Sequence, residues 1–141
     1  MSHLLILHLG FLGAWLVLVV IETFLEFRSS RQENALKASF SHFWIDVCVE
    51  VPLVVGVLVT GALLLEKMPY IPLLFKIKVA LALIAIAFNL TCFVFVVQRY
   101  KNRNNPELFA LYNKRVRLTW VGVPFGLAAL YIGLKFLMLS F

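Results

Sequence analysis

Four long apolar stretches, separated by short polar ones, constrain this chain more than any other feature of its sequence. About 20 consecutive apolar residues are enough for an α-helix to cross the hydrocarbon core of a bilayer. Of the 141 residues, 62% are hydrophobic and only 14% are charged, which is typical of a membrane protein. The pattern predicts an all-α polytopic membrane protein, an antiparallel bundle of four transmembrane helices in one domain, 1–141. The predicted helices are 4–27, 41–65, 73–98 and 106–139.

Basic residues gather in two of the polar stretches. Nine of the thirteen lysines and arginines lie in the segments 28–40 and 99–117. Because basic loops favour the cytoplasmic side of a membrane, both segments are predicted to be cytoplasmic loops, with both termini outside. This topology accounts for the net charge of +6 without a nucleic acid partner. The predicted location is the inner membrane of a bacterium.

Local signals mark where two of the helices begin and where one is interrupted. Ser41 is a candidate N-cap of the second helix, and the run 105–107, Asn-Pro-Glu, is typical of a helix start. Pro52 lies inside the second helix and lacks the N–H that would bond to the carbonyl of Cys48. The Cys48 carbonyl is therefore expected to be left without this bond, beside Asp46 and Glu50.

The last predicted helix carries a strip of small residues that lets a neighbouring helix approach closely. The strip is either a packing surface of the bundle or a contact with a second copy or a larger membrane complex. The other predicted partner is the lipid bilayer. The glycines of the strip are Gly122, Gly126 and Gly133.

Five ionisable residues of the first two helices form a group that we call the inner cluster. His42, Asp46 and Glu50 follow one another at four-residue intervals and therefore share one face of a helix. Glu22 and Glu26 lie on one stripe of the preceding helix. Because a short polar segment joins the two helices, they are predicted to be antiparallel neighbours. All five side chains then lie at one depth, in the cytoplasmic half of the bundle.

The inner cluster needs a partner or a function, because a charged residue inside a membrane span costs at least about 2.5–3.5 kcal/mol. Carboxylates and imidazoles from facing helices hold divalent metal ions in four-helix bundles. We therefore predict a site for iron, manganese or zinc, with Glu50 in an outer shell or accepting a proton and the other four residues nearest the ion. Two alternatives remain, a proton or ion path and a structural ion-pair network. The candidate arginines for that network are Arg28, Arg115 and Arg117.

Two further ionisable residues lie nearer the opposite ends of their helices. His8 is about four residues inside the first helix and Lys78 about six inside the third, which predicts a second polar layer in the outer half. His8 is either a hydrogen-bonded core residue or a ligand.

Short apolar motifs resemble a known family: LHLGFLGAWL in the first helix, PLLFKIKVALALIAIAFN in the third and VGVPF in the fourth. In these motifs and in its length the chain resembles the four-helix membrane protoporphyrinogen oxidases and the wider CopD-type copper-resistance membrane proteins. The resemblance implies haem b binding, with the helix 1 histidine and the helix 3 lysine, here His8 and Lys78, as key residues. The run IETFLEF stands where the oxidases carry an arginine and a second histidine, so a different redox or metal task is expected.

Functions from different classes follow from these features. One is a membrane redox or electron-transfer protein, an oxidoreductase, that binds haem near His8 and a divalent metal ion in the inner cluster. Another is a non-redox protein that handles divalent metal ions or protons, such as a small transporter or sensor. A third is an accessory subunit of a larger membrane complex. No residue is assigned a catalytic role.

Overall fold

The computed structural model describes the backbone of residues 3–28 and 32–139, and the side chains of residues 3–28 and 34–136. This part of the chain is helical and contains no β-strand, as the composition predicts. The helices are α1 (His3–Arg28), α2 (Gln32–Ile45), α3 (Val51–Glu66), α4 (Leu73–Lys101), α5 (Pro106–Leu118) and α6 (Gly122–Leu139), with a π-helix (Asp46–Glu50) between α2 and α3 and a 3₁₀-helix (Thr119–Val121) between α5 and α6.

Four helical segments are long and apolar enough to cross a membrane, which fits an integral membrane protein. Two of them are compound, since the π-helix joins α2 to α3 and the 3₁₀-helix joins α5 to α6. The four segments are His3–Arg28, Asn34–Glu66, Leu73–Lys101 and Pro106–Phe136.

The polar segments predicted to be loops are mostly helical. The second helix was predicted to begin at Ser41, and this prediction is wrong, because α2 already begins at Gln32. The residues before Ser41 include glutamate, alanine, leucine and lysine, which are good helix formers, and neither glycine nor proline interrupts them. Likewise, α4 runs to Lys101. Of the basic residues in these segments, Arg31 lies outside the described residues.

The chain divides into two compact units, Met1–Pro69 and Tyr70–Phe141, which we call the N-terminal and C-terminal units. Each holds two of the four apolar segments. The single domain predicted for 1–141 stays a prediction.

In the N-terminal unit, α1 contacts the continuous helix formed by α2, the π-helix and α3. The contacts run in opposite order along the two helices: His8 meets Thr60, Trp15 meets Glu50, and Glu26 meets His42. Ionisable residues of α1 therefore face those of the second helix, as the two polar stripes predict. Between the His8 and Trp15 levels, Phe11 lies against Gly56, where a Cβ atom would come within 2.9 Å of its ring.

The second helix changes to a π-helix over Asp46–Glu50, shortly before Pro52. The N–H of Val51 donates to the carbonyl oxygen of Asp46, five residues back, and the next residue, Pro52, has no N–H to donate. In an α-helix, a side chain four residues further along is rotated about 40° past the first one around the helix axis. The wider π-helix rotates less per residue, so the side chains of Asp46 and Glu50 stay closer to the same face of the helix. Both side chains are buried.

In the C-terminal unit, α6 packs against α4 through the small-residue strip. A Cβ atom on Gly122 would lie 2.5 Å from Cβ of Phe88, and one on Gly126 would lie 3.6 Å from Cβ of Ala85. The strip is thus occupied by a helix of the same unit. The predicted start of the last helix is confirmed, because the Asn105 side chain accepts hydrogen bonds from two backbone N–H groups at the start of α5.

Candidate metal centre

All five side chains of the inner cluster are buried, and the structure brings them together between α1 and the second helix. Asp46 is 0% and Glu26 1% exposed, and the most exposed of the five, Glu22, reaches only 7%. Two consecutive helices therefore place four carboxyl groups and one imidazole away from water.

His42 lies at the centre of this arrangement. Its Nδ1 atom is 2.7 Å from Oε1 of Glu26, a distance typical of a strong hydrogen bond between a ring N–H and a carboxylate. We therefore assign the hydrogen to Nδ1, with Glu26 as the acceptor. The other ring nitrogen, Nε2, faces Oδ1 of Asp46 at 3.3 Å and Oε2 of Glu22 at 3.8 Å.

Glu22, His42 and Asp46 each offer one ligand atom, and these three atoms all lie within 4.8 Å of one another. Oε1 of Glu22 accepts no hydrogen bond from a described residue, although the side chain is only 9% exposed. Two carboxylate oxygens and an imidazole nitrogen gathered at such distances can surround a single cation or share a proton.

Glu50 lies at the far end of the cluster from Glu26, and its contact was not foreseen from the sequence. Trp15 Nε1 donates a hydrogen bond to Oε1 of Glu50 over 3.1 Å. The signal was present, since Trp15 lies seven residues before Glu22 on the same stripe of α1. An indole N–H in an apolar span needs an acceptor, and Glu50 lies on the facing helix.

Two of the three arginines predicted as alternative partners, Arg28 and Arg115, lie over aromatic rings. The guanidinium carbon of Arg28 lies 6.0 Å from the centre of the Phe24 ring. Within the described part of the chain Arg28 forms no ion pair. Arg115 lies over two rings of the C-terminal unit, Phe95 at 5.7 Å and Tyr112 at 5.6 Å.

His8 forms a second, smaller polar site toward the other end of the N-terminal unit. Its Nδ1 atom is 2.8 Å from Oγ1 of Thr60, and that hydroxyl lies 2.6 Å from the carbonyl oxygen of Gly56. A hydroxyl has one hydrogen, so when Thr60 donates to Gly56 it accepts from the Nδ1–H of His8. Gly61 leaves room for the ring, since a Cβ atom there would lie 3.3 Å from Cε1 of His8.

Lys78, the second residue implied by the family resemblance, belongs to the C-terminal unit. Its Nζ atom lies 4.9 Å from the centre of the Phe75 ring, and its Cε atom would be 3.4 Å from a Cβ on Gly133. The side chain is half-buried in these apolar surroundings.

The resemblance to the membrane protoporphyrinogen oxidases and CopD-type proteins stays a prediction from the sequence. Comparison of the chain with models of protein families, with curated proteins and with solved structures found no match.

Proposed function

We propose that this chain is an integral membrane protein that binds a divalent metal ion through Glu22, His42 and Asp46. The observation that supports the proposal most is that one ligand atom from each residue lies within 4.8 Å of the others in a buried setting. Buried carboxylates repel one another unless a proton or a cation lies between them, and a divalent cation would meet this need.

Glu26 then acts through His42 rather than on the metal ion. Metal-bound histidines commonly donate their other ring N–H to a carboxylate, which fixes the ring and makes it a better ligand. Glu26 occupies this position, 2.7 Å from Nδ1 and therefore on the side of the ring away from Glu22 and Asp46. This assignment differs from the prediction that Glu26 is one of the nearest ligands.

The ligand atoms favour iron, manganese or zinc. Two carboxylate oxygens and one imidazole nitrogen suit these ions better than cuprous copper, which prefers sulfur. With iron or manganese the site would serve a redox or electron-transfer protein, and with zinc or a transiently held ion it would serve a non-redox metal transporter or sensor.

Elemental analysis of the detergent-purified protein tests the proposal. We expect a stoichiometric metal ion in the wild type and none in the double variant Glu22→Gln, Asp46→Asn. The matched control is Glu66→Gln, the same kind of change at an exposed carboxylate of the same unit. A wild type that holds no metal after growth or dialysis with iron, manganese and zinc would contradict the proposal and leave an ion-pair network or a proton path.

A second candidate function, haem b binding, is favoured by the tautomer of His8 that the hydrogen bond to Thr60 selects. With its hydrogen on Nδ1, donated to Thr60, the neutral ring carries its lone pair on Nε2, the form in which imidazole binds iron. Lys78 would be the second ligand or a propionate partner. An absorbance spectrum of the purified protein should show a Soret band that His8→Ala abolishes; a band that survives this change would exclude His8 as the ligand.

The proposal includes the arrangement and orientation of the helices in the membrane. We propose an antiparallel four-helix bundle in the inner membrane of a bacterium, with both termini outside and the basic segments 28–40 and 99–117 in the cytoplasm. The support is the asymmetry in basic residues. A reporter active only in the periplasm should give a signal when fused after Phe141 and none when fused after Asn104. The reverse result would invert the topology.

A further inference from the structure

The inner cluster has more carboxyl groups than one divalent cation neutralises when they are ionised. Glu22, Glu26, Asp46 and Glu50 are all buried. With their four carboxyl groups ionised and His42 neutral as a ligand, one divalent cation would leave two negative charges in an apolar span. Two divalent cations would cancel them. A buried net charge is strongly disfavoured in such surroundings.

Glu22 occupies the position between two groups of ligands. Its Oε2 atom faces Nε2 of His42 at 3.8 Å, whereas its Oε1 atom accepts no hydrogen bond from a described residue. Glu50 lies four residues beyond Asp46 on the π-helix that faces this stripe of α1, and its side chain is buried as well. One oxygen of Glu22 therefore faces His42, and the other is buried without a hydrogen-bond donor from the described residues.

Glu50 is held in place by a hydrogen bond. Trp15 donates to its Oε1 atom, and a carboxylate has about four lone-pair sites, so a carboxylate that accepts a hydrogen bond can also bind a cation. The π-helix limits the rotation between Asp46 and Glu50, so both carboxylates project from the same side of the second helix. Such π turns are frequent at functional sites.

We propose that a second divalent cation binds between Glu22 and Glu50, so that the Glu22 carboxylate bridges two metal ions. This inference rests on the proposed function and deepens it, because it turns a single-ion site into a dinuclear one. A bridging carboxylate gives one oxygen to each cation, and protein two-metal sites hold their ions about 3.5–4 Å apart. Asp46, four residues before Glu50, would bind the first cation, together with His42 and the other oxygen of Glu22.

Manganese loading distinguishes one ion from two. The full-length protein, stripped of metal in detergent, is dialysed against Mn²⁺ and the bound ions per chain are counted. We expect two for the wild type and for the control Glu66→Gln, one for Glu50→Gln, and none for Glu22→Gln, Asp46→Asn. Electron paramagnetic resonance should show coupled ions in the wild type and an isolated ion in Glu50→Gln.

A milder variant, Trp15→Phe, tests the same site in case Glu50→Gln does not fold. Trp15→Phe keeps every carboxylate and removes only the hydrogen bond to Glu50, so we expect two ions, the second bound about 10-fold more weakly. One ion in the wild type, or two magnetically isolated ions, would overturn the dinuclear site while leaving the proposed function intact. No ion in the wild type would overturn both.

Discussion

The two units join their long apolar helices largely through different kinds of side chain. In the N-terminal unit, carboxylates, histidines, Trp15 and Thr60 lie between the helices, together with one contact of an aromatic ring with a glycine, Phe11 against Gly56. In the C-terminal unit they are occupied by small and aromatic residues, such as Gly122 against Phe88 and Gly126 against Ala85. Small residues associate apolar helices through close backbone approach, and the C-terminal unit shows that this chain can use that solution.

The comparison therefore separates packing from function. If α1 and the second helix needed only to pack together, small apolar residues would suffice, and no free energy would be spent on burying ionisable groups. Ionisable groups inside a membrane span are expensive and mark functional positions. A change in one unit should therefore affect that unit's role and spare the other's.

The largest effect is expected from His42→Ala. The change removes the only nitrogen that lies among the candidate ligand atoms, so metal affinity should fall by more than 100-fold, beyond the loss caused by an outer-shell change. Titration with Mn²⁺ or Zn²⁺ would measure it. His3→Ala is the control, since His3 is exposed at the start of α1. Equal affinity in wild type and His42→Ala would place the metal ion elsewhere.

Glu26→Gln should weaken metal binding by about 10–100-fold without abolishing it. The amide still accepts a hydrogen bond from Nδ1 of His42 but no longer supplies the negative charge that strengthens the ring as a ligand. Glu107→Gln, at an exposed position of α5, should leave affinity unchanged. A complete loss of metal in Glu26→Gln would indicate that Glu26 is itself a ligand, as the sequence predicted.

Gly122→Ala tests the packing role of the C-terminal unit. The added Cβ would lie 2.5 Å from Cβ of Phe88, so α4 and α6 must move apart, at a cost of about 1–3 kcal/mol. Gly126→Ala is the control, because its Cβ would make an ordinary contact at 3.6 Å. Thermal unfolding in detergent should show a lower midpoint for the first variant alone, while both retain metal. Metal loss in Gly122→Ala would show that the two roles are not separable.

Thr60→Val should have the smallest effect. The change preserves shape but removes the acceptor for Nδ1 of His8, which should destabilise the protein by about 0.5–1.5 kcal/mol. Thr91→Val is the control, since that hydroxyl bonds only the carbonyl oxygen of Ala87 on its own helix. Equal unfolding midpoints for the two variants would show that the contact between His8 and Thr60 adds nothing to stability.

Features that depend on local chemistry were predictable. The apolar stretches and the helix start at Asn105 agree with the structure because hydropathy and capping act over a few residues. The start of α2 was not predicted correctly, since polar residues before Ser41 suggested a loop although their helix propensity was high. Composition indicated the environment of that segment but not its backbone conformation.

The sequence by itself determined that the chain is helical, has four apolar segments fit to cross a membrane, and carries two polar stripes on its first two helices. Periodicity and hydropathy suffice for that, because both are properties of one helix at a time. Only the tertiary structure decided which atoms meet. Nδ1 of His42 bonds to the Glu26 carboxylate, Nε1 of Trp15 donates to the Glu50 carboxylate, and Nδ1 of His8 bonds to the Thr60 hydroxyl. These pairings depend on the register between two helices and on the π turn before Pro52, where a shift of one residue would turn each side chain by about 100°.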